Sequence, residues 1–178
     1  MQLIIGQKVA YPNQGVCLVE EIKKRIVGES SLIGYILRVL GDNSTIFVPT
    51  NNAENIGIRP LITSHQCKKL AEKLAEDFEA ADCDWKQRSR EFNEKLHSGD
   101  IFEAADVFKK LTLLSFEKRL SFREQTMLEK SKFLVVSELS SASKKGHLTC
   151  ERDVCRLVEA ACLKHRTDNG SLLEATTH

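Results

Sequence analysis

The spacing of apolar residues along the chain changes once, between Pro60 and Ser64. Before this point, short apolar runs alternate with turn signals, in which proline fixes φ and glycine can take a positive φ. The predicted turns lie at residues 12–15, 28–31 and 41–44. The predicted strands lie at residues 8–11, 16–22, 33–40 and 45–49. Short strands with turns between them indicate a small, curled antiparallel sheet.

From residue 63 onward the apolar residues recur with the period of an α-helix. Thr63 and Gln66 have the spacing of a capping box, in which a helix start is closed by two reciprocal hydrogen bonds. Ser121 and Glu124 have the same spacing. We therefore predict that one helix begins after Thr63 and another after Ser121.

Two aspartates and one serine-rich segment complete the predicted helical half. Asp84 and Asp100 each precede a stretch with helical periodicity, so each can cap the first turn of a helix. Residues 140–146 are rich in serine and lysine, which predicts a linker. A last helix is predicted at about 149–164, and residues 166–178 are predicted to form a disordered tail.

These elements predict an α+β fold with segregated halves. The predicted domains are a β domain at residues 1–62 and a helical bundle at residues 63–165. The 26 Lys and Arg residues are nearly balanced by 25 Asp and Glu residues, which gives a net charge of +1. Because affinity for phosphate grows with the number of cations brought to it, we expect weak DNA binding by the chain alone.

Trp85 is the only tryptophan, and it lies where a helix is predicted to begin. Its neighbours Lys86, Arg88 and Arg90 are cationic. A ring at a helix start can wedge or stack against bases while the cations hold phosphates. However, Trp85 also shares a helical face with Phe92, and apolar residues on one face usually pack in a core. Spacing alone favours the core interpretation.

Catalytic and metal-binding motifs are not evident in the sequence. The six cysteines contain no CxxC pair, and no histidine is placed to complete a zinc site. The glycines are spaced as turn residues rather than as a phosphate-binding loop. We therefore expect no enzymatic activity, no cofactor and no metal. A cysteine-dependent enzyme or redox sensor stays open as an alternative, with Cys17, Cys67 or Cys83 as its reactive thiol.

The apolar run near the N-terminus, residues 3–5, is far too short for a signal peptide or a membrane span. We therefore expect a cytoplasmic protein with no membrane partner. Nothing in the sequence demands a dimer, so a monomer is predicted.

Several short motifs along residues 1–140 carry a resemblance to a known family. They are Val9-Ala10-Tyr11-Pro12 with Gly15, Phe47-Val48-Pro49 with Asn52-Ala53-Glu54, Gly57-Ile58-Arg59, Trp85, Glu94-Lys95-Leu96 with Ser98-Gly99-Asp100, and Leu120-Ser121 before Glu124. In this order and spacing they resemble the CarD/CdnL transcription regulators of bacteria. The β domain looks like the Tudor-like RNA-polymerase-interacting domain that the family shares with the transcription-repair coupling factor.

The resemblance implies that the β domain binds the β subunit of RNA polymerase, at its protrusion or lobe. Arg25 matches a family arginine used on the polymerase, and Lys24 lies beside it in a basic cluster. The segment Phe47, Val48 and Pro49 matches a second contact. This chain departs from its relatives at Phe47, where they often carry a basic residue.

The resemblance also implies that the helical domain contacts promoter DNA at the upstream edge of the melted bubble. The family tryptophan, matched by Trp85, wedges into the minor groove and slows bubble collapse. Arg88 and Arg90 match cationic positions near the DNA, with Lys86 beside them. We therefore predict a regulator of transcription initiation, associated with the nucleoid through RNA polymerase. The alternative is a protein-interaction adaptor in which Trp85 is core and DNA is never touched.

Overall fold

The computed structural model describes residues 2–27 and 30–175, with side chains described for residues 2–26 and 31–167. Its N-terminal part is an antiparallel sheet. The strands are β1 Lys8–Tyr11, β2 Gly15–Val27, β3 Ser30–Val39, β4 Thr45–Pro49 and β5 Arg59–Pro60. They lie side by side in the order β4-β3-β2-β1-β5. A short helix, α1 Ala53–Ile56, which the sequence pattern did not predict, precedes β5.

The C-terminal part is a bundle of helices. They are α2 Ser64–Ala75, α3 Trp85–His97, α4 Ile101–Glu117, α5 Phe122–Ser143 and α6 His147–Ala175. The predicted α+β fold, an antiparallel sheet followed by a helical bundle, is therefore confirmed. The change of period near residue 63 reflects the passage from one part to the other, because α2 begins at Ser64.

Both predicted capping boxes are confirmed. The Thr63 hydroxyl accepts from the Gln66 N–H at 3.3 Å, and the Gln66 side chain accepts from the Thr63 N–H at 2.9 Å. Ser121 and Glu124 make the same two bonds at the start of α5, at 3.3 and 2.9 Å. Each box satisfies backbone donors that a helix start would otherwise leave unpaired.

The linker predicted at residues 140–146 is shorter in the structure, because α5 continues to Ser143. The hydroxyls of Ser140 and Ser143 donate to backbone carbonyls three and four residues earlier, at 3.1 and 2.6 Å. Serine therefore bonds to the preceding turn here and does not end the helix. Helix α5 ends at Ser143, and the next residue, Lys144, caps it with a left-handed φ of 56°.

Helix α6 also differs from the prediction. It begins at His147, two residues before the predicted start, and its backbone is helical to Ala175. Much of the predicted tail, residues 166–178, therefore belongs to this helix, since that stretch has no proline to stop it. Residues 176–178 of the predicted tail, and residues 28 and 29 of the predicted turn at 28–31, lie outside the described residues.

An ion pair joins the sheet to the bundle. The guanidinium of Arg59 in β5 donates to both carboxylate oxygens of Glu138 in α5, at 2.6 and 2.9 Å. Arg59 Nε also donates to the carbonyl of Gly99 at 3.0 Å, and the Ile62 N–H donates to Glu138 at 3.0 Å. The Glu138 side chain is buried, so this charge is compensated by three separate donors.

Close packing supports the same joint. The ring of Phe133 in α5 lies against Gly15 of β2 and Gly41 of the β3–β4 turn, where a Cβ would come within 2.9 and 2.6 Å of the ring. A side chain at Gly41 would therefore push α5 away from this turn. The ion pair and the ring together join the helical bundle to the sheet.

Candidate polymerase and nucleic-acid interfaces

Trp85 is the first residue of α3, and its ring is 60% exposed. The carboxylate of Asp84 caps the helix by accepting from the Lys86 N–H at 2.9 Å. The ring is therefore accessible to solvent at the start of the helix, whereas Phe92 on the same helix is buried. The interpretation of Trp85 as a core residue, which spacing alone favoured, is therefore wrong.

Two of the predicted DNA-contacting cations, Lys86 and Arg90, are exposed. Lys86 Nζ lies 5.9 Å from the Trp85 ring centroid. The Arg90 side chain is 84% exposed and faces Glu94 at 3.6 Å, a separation at which a surface ion pair contributes little. Both side chains are therefore available to a phosphate.

Arg88 is placed differently from Lys86 and Arg90. Its side chain is only 5% exposed, and its Nη2 donates to Glu124 Oε1 at 2.7 Å. Its Nη1 donates to the backbone carbonyls of Asp82 and Cys83, which precede α3. As placed, the guanidinium points into the protein and does not face a phosphate. The expectation of a direct DNA contact is therefore corrected to a structural role at the base of Trp85.

Glu124 is the partner that holds Arg88 in place. Burial alone would raise the pKa of its carboxyl group, but the Ser121 N–H and the Arg88 guanidinium lower this pKa to about 2. The carboxylate is thus charged at neutral pH and binds the first turn of α5 to the first turn of α3.

The predicted polymerase-contacting residues lie around strands β2 to β4. Residues directly opposite in an antiparallel pair share a face, and Lys23, Gly34 and Pro49 are opposite one another. Arg25 and Phe47, two residues away along their strands, lie on this same face. The Arg25 guanidinium stacks over the Phe47 ring at 4.7 Å.

The Phe47 ring lies across Gly34 of β3. A Cβ at Gly34 would come within 2.5 Å of the ring and 2.7 Å of the Val48 carbonyl oxygen. Glycine at this position therefore lets the ring lie flat on the sheet, where its other side supports Arg25. The basic residue expected in relatives is replaced by a ring that holds a cation from the neighbouring strand.

Val48 and Lys24 lie on the opposite face of the sheet. Val48 is 1% exposed and packs with Tyr35 and Leu37 in the β-domain core. It cannot reach a partner as placed, and the expected contact at this residue is corrected to a packing role. Lys24 is exposed farther along that face, beyond the core.

An apolar strip near Lys24 was missed by the sequence analysis. Ile22, Ile26 and Ile33 are exposed on the same face of the β2–β3 hairpin as Lys24. The sequence signal was weak, because three cationic residues separate Ile22 from Ile26 and apolar and polar residues do not alternate here. Only the pairing of β2 with β3 places Ile22, Ile26 and Ile33 on one face.

The cysteines form no disulfide among the described residues. Burial raises the pKa of the Cys17 thiol to about 12 and that of Cys162 to about 11, which keeps both protonated. In the part of the chain that the structure describes, no group of His, Cys, Asp or Glu side chains is arranged to hold a metal ion. No described helix is both long and apolar enough to cross a membrane.

Comparison with known families matches both parts of the chain. Residues 3–62 match the family model of the CarD-like/TRCF RID domain, and residues 69–153 match that of the CarD C-terminal domain. The two matches fall on the sheet and on the helical bundle, respectively. Together they span most of the chain.

Individual proteins are similar as well. The chain is 28% identical over 135 residues to YdeB, a candidate transcription factor of Bacillus subtilis (strain 168), covering 76% of this chain and 88% of YdeB. The solution structure of the 72-residue N-terminal domain of Myxococcus xanthus CarD is 37% identical. That match covers 33% of this chain and 79% of the solved domain, with a TM-score of 0.29.

Proposed function

Because the chain belongs to the CarD-like family of transcription regulators, we propose that it binds RNA polymerase with its β domain and promoter DNA with its helical domain. The outcome is a longer-lived open complex. The observation that carries the proposal is the placement of Trp85, an exposed ring at the start of a capped helix.

The β domain binds the β subunit of RNA polymerase, at its protrusion or lobe, in this proposal. Arg25, Phe47 and Pro49 form the contact, because they share one face of the sheet. Stacking on Phe47 orients the Arg25 guanidinium, so less side-chain entropy is lost when it pairs with an acidic group of the partner. Strand β4 is an edge of the described sheet, and its unpaired backbone groups can bond to a partner strand.

The helical domain contacts the upstream edge of the melted bubble. There the Trp85 ring enters the minor groove as a wedge, as apolar side chains do in other minor-groove binders. Lys86 and Arg90 hold the adjacent phosphates. Arg88 acts indirectly, because it ties the first turn of α3 to Glu124 and so fixes where the ring points.

Contacts of Trp85 and its neighbouring cations with DNA give too little binding free energy, so the chain needs a second binding partner. Opening a base step costs a few kcal/mol, and stacking of one base on an aromatic ring returns about 1–3 kcal/mol. With a net charge of +1, the chain cannot hold DNA by charge alone. Binding to the polymerase supplies the missing affinity, because a tethered domain has an effective concentration on the order of millimolar at the bubble.

The ring acts by selecting one state of the promoter. An unstacked step exists at the bubble edge in the open complex, whereas closed duplex must first be opened. Trp85 therefore binds the open complex more tightly, and this difference in affinity shifts the equilibrium toward it.

The proposal predicts that Trp85→Ala shortens the lifetime of the open complex. A loss of one stacking contact corresponds to a lifetime shorter by about fivefold or more. The lifetime is measured with saturating protein, after a competitor traps free polymerase.

Leu148→Ala is the matched control, because Leu148 is also a large exposed apolar residue but lies at the start of α6. It is expected to leave the lifetime unchanged. A Trp85→Ala protein that binds polymerase normally and gives the wild-type lifetime would refute the wedge.

A further inference from the structure

A cleft lies beside Trp85, between the first turns of α3 and α5. The Arg88–Glu124 ion pair holds these two turns together at 2.7 Å. The cleft has a volume of about 500 Å³, within the range of small-ligand sites. Its lining includes Trp85, the buried apolar residues Phe92 and Met127, and the cations Lys118 and Arg123.

A second exposed ring lies next to this cleft. Phe122 is the first residue of α5, follows the cleft residue Ser121, and is 86% exposed. It therefore occupies the same position in its helix as Trp85 does in α3. Arg119 and Arg123 flank it in sequence and are also exposed. The result is a pair of aromatic rings with cations around them at one end of the bundle.

One polar atom in the wall of the cleft has no partner. The Ser89 hydroxyl is buried and makes no hydrogen bond to any described residue. A buried hydroxyl without a partner is unfavourable, and rotation of the Ser89 side chain toward the cleft would let a ligand with a hydrogen-bonding edge satisfy it. The carboxylate of Glu124, by contrast, is already engaged by Arg88, by Ser121 and, at 3.4 Å, by Lys118, whose side chain is still half exposed.

We propose that this α3–α5 cleft binds the unpaired strand of melted DNA. An unstacked base enters the cleft beside Trp85, with its edge toward Ser89, and a neighbouring base stacks on Phe122. Lys118 and Arg123 bind the phosphates between them. This inference rests on the proposed function, and it extends the DNA contact from one ring to a short single-stranded track.

The chemistry of the cleft favours a single strand over a duplex. Stacking platforms with a few cations are typical of proteins that bind single-stranded nucleic acid, because every unpaired base exposes a π-face. In a duplex these faces are covered by neighbouring base pairs. An acidic protein partner would use the cations but would leave the apolar floor of Phe92 and Met127 without a role.

The test uses the full chain and a labelled oligothymidylate at low salt, with fluorescence anisotropy as the readout. Phe122→Ala is expected to raise the Kd about tenfold, equivalent to about 1.4 kcal/mol. Phe122→Tyr keeps a ring and is expected to bind like the wild type. Arg123→Gln is expected to weaken binding and flatten its salt dependence, whereas Arg152→Gln, an exposed arginine of α6, is not.

The fluorescence of Trp85, the single tryptophan, reports where oligothymidylate binds. Oligothymidylate is expected to quench Trp85 emission in the wild-type protein, because a base enters the cleft beside the ring. No quenching, or a Phe122→Ala protein with unchanged Kd, would overturn the assignment of the cleft.

The same proteins separate this inference from the proposed function. If Trp85→Ala shortens the open-complex lifetime while Phe122→Ala leaves oligothymidylate binding unchanged, the cleft fails and the wedge stands. If Trp85→Ala leaves the lifetime unchanged, the proposed function fails. If Phe122→Ala then still weakens oligothymidylate binding, the cleft is a single-strand site independent of the bubble edge.

Discussion

Among single residues, Trp85 and Arg88 have different roles at the start of α3. Both lie in the first turn of α3, yet the ring is exposed and the guanidinium is enclosed. Arg88 bonds to two carbonyls before the helix and to Glu124 in α5. It therefore holds the helix start that carries the ring, which accounts for the burial of a cation beside the residue proposed to contact DNA.

Arg88→Ala is predicted to destabilise the protein by about 1–3 kcal/mol, because the partly buried Glu124 carboxylate loses one charged partner while Ser121 and Lys118 still contact it. Arg90→Ala is the matched control on the same helix. Its side chain is almost fully exposed, so its removal is expected to change the free energy of unfolding by less than about 0.5 kcal/mol. Urea unfolding of both variants measures the difference, and equal midpoints would show that the Arg88 pair contributes no stability.

At the scale of elements, helix starts were predictable because their chemistry is local. Thr63 with Gln66, and Ser121 with Glu124, close their own helices with bonds between residues three apart. The burial of Arg88 was not predictable, because its carboxylate partner lies 36 positions away. The continuation of α5 through residues 140–143 was missed for a different reason, because serine is common in linkers but its hydroxyl can also bond to the preceding turn of a helix.

Strand β3 shows a second limit of the sequence pattern. A glycine inside a strand usually weakens the strand, because it has no side chain to pack. At Gly34, however, the Phe47 ring of β4 lies across the backbone and needs the space. The stacked Arg25 then depends on two neighbouring strands at once. Alternation along a strand predicts which residues share a face, but only the register shows which of them touch across strands.

Gly34→Ala is predicted to destabilise the protein by about 1–3 kcal/mol, because the added methyl group meets the Phe47 ring and the Val48 carbonyl. The displaced ring no longer supports Arg25, so polymerase affinity should fall as well. Gly146→Ala is the control, since an added Cβ there meets nothing within 4 Å. Thermal unfolding and a polymerase pull-down measure the two effects; a Gly34→Ala protein that binds polymerase normally would separate Phe47 from the interface.

In the molecule as a whole, contacts between the two domains relate the proposed polymerase-binding face to the proposed DNA-binding ring. Arg59 and Glu138 pair across 79 positions of sequence, and Phe133 packs on Gly15 of β2 and on Gly41 of the β3–β4 turn. These contacts define where the Arg25–Phe47 face lies relative to Trp85. In the proposed function, binding of this face to the polymerase would bring the ring to one place on the promoter, with little loss of rotational freedom in the second step.

In the proposed function the two domains have separate tasks, because the β domain tethers the chain to the polymerase and the helical domain wedges the bubble. The open-complex lifetime, measured as a function of protein concentration for the wild type, Arg25→Glu and Trp85→Ala, separates these tasks. Arg25→Glu, which weakens polymerase binding, is predicted to require more protein but to reach the wild-type lifetime at saturation. Trp85→Ala, which removes the wedge, is predicted to saturate at the wild-type concentration but with a short lifetime.

The opposite result would contradict the account. If Trp85→Ala reaches the wild-type lifetime at saturation, the ring does not hold the bubble, and the chain is an adaptor on the polymerase. If Arg25→Glu saturates at the wild-type concentration, the face of Arg25 and Phe47 is not the tether.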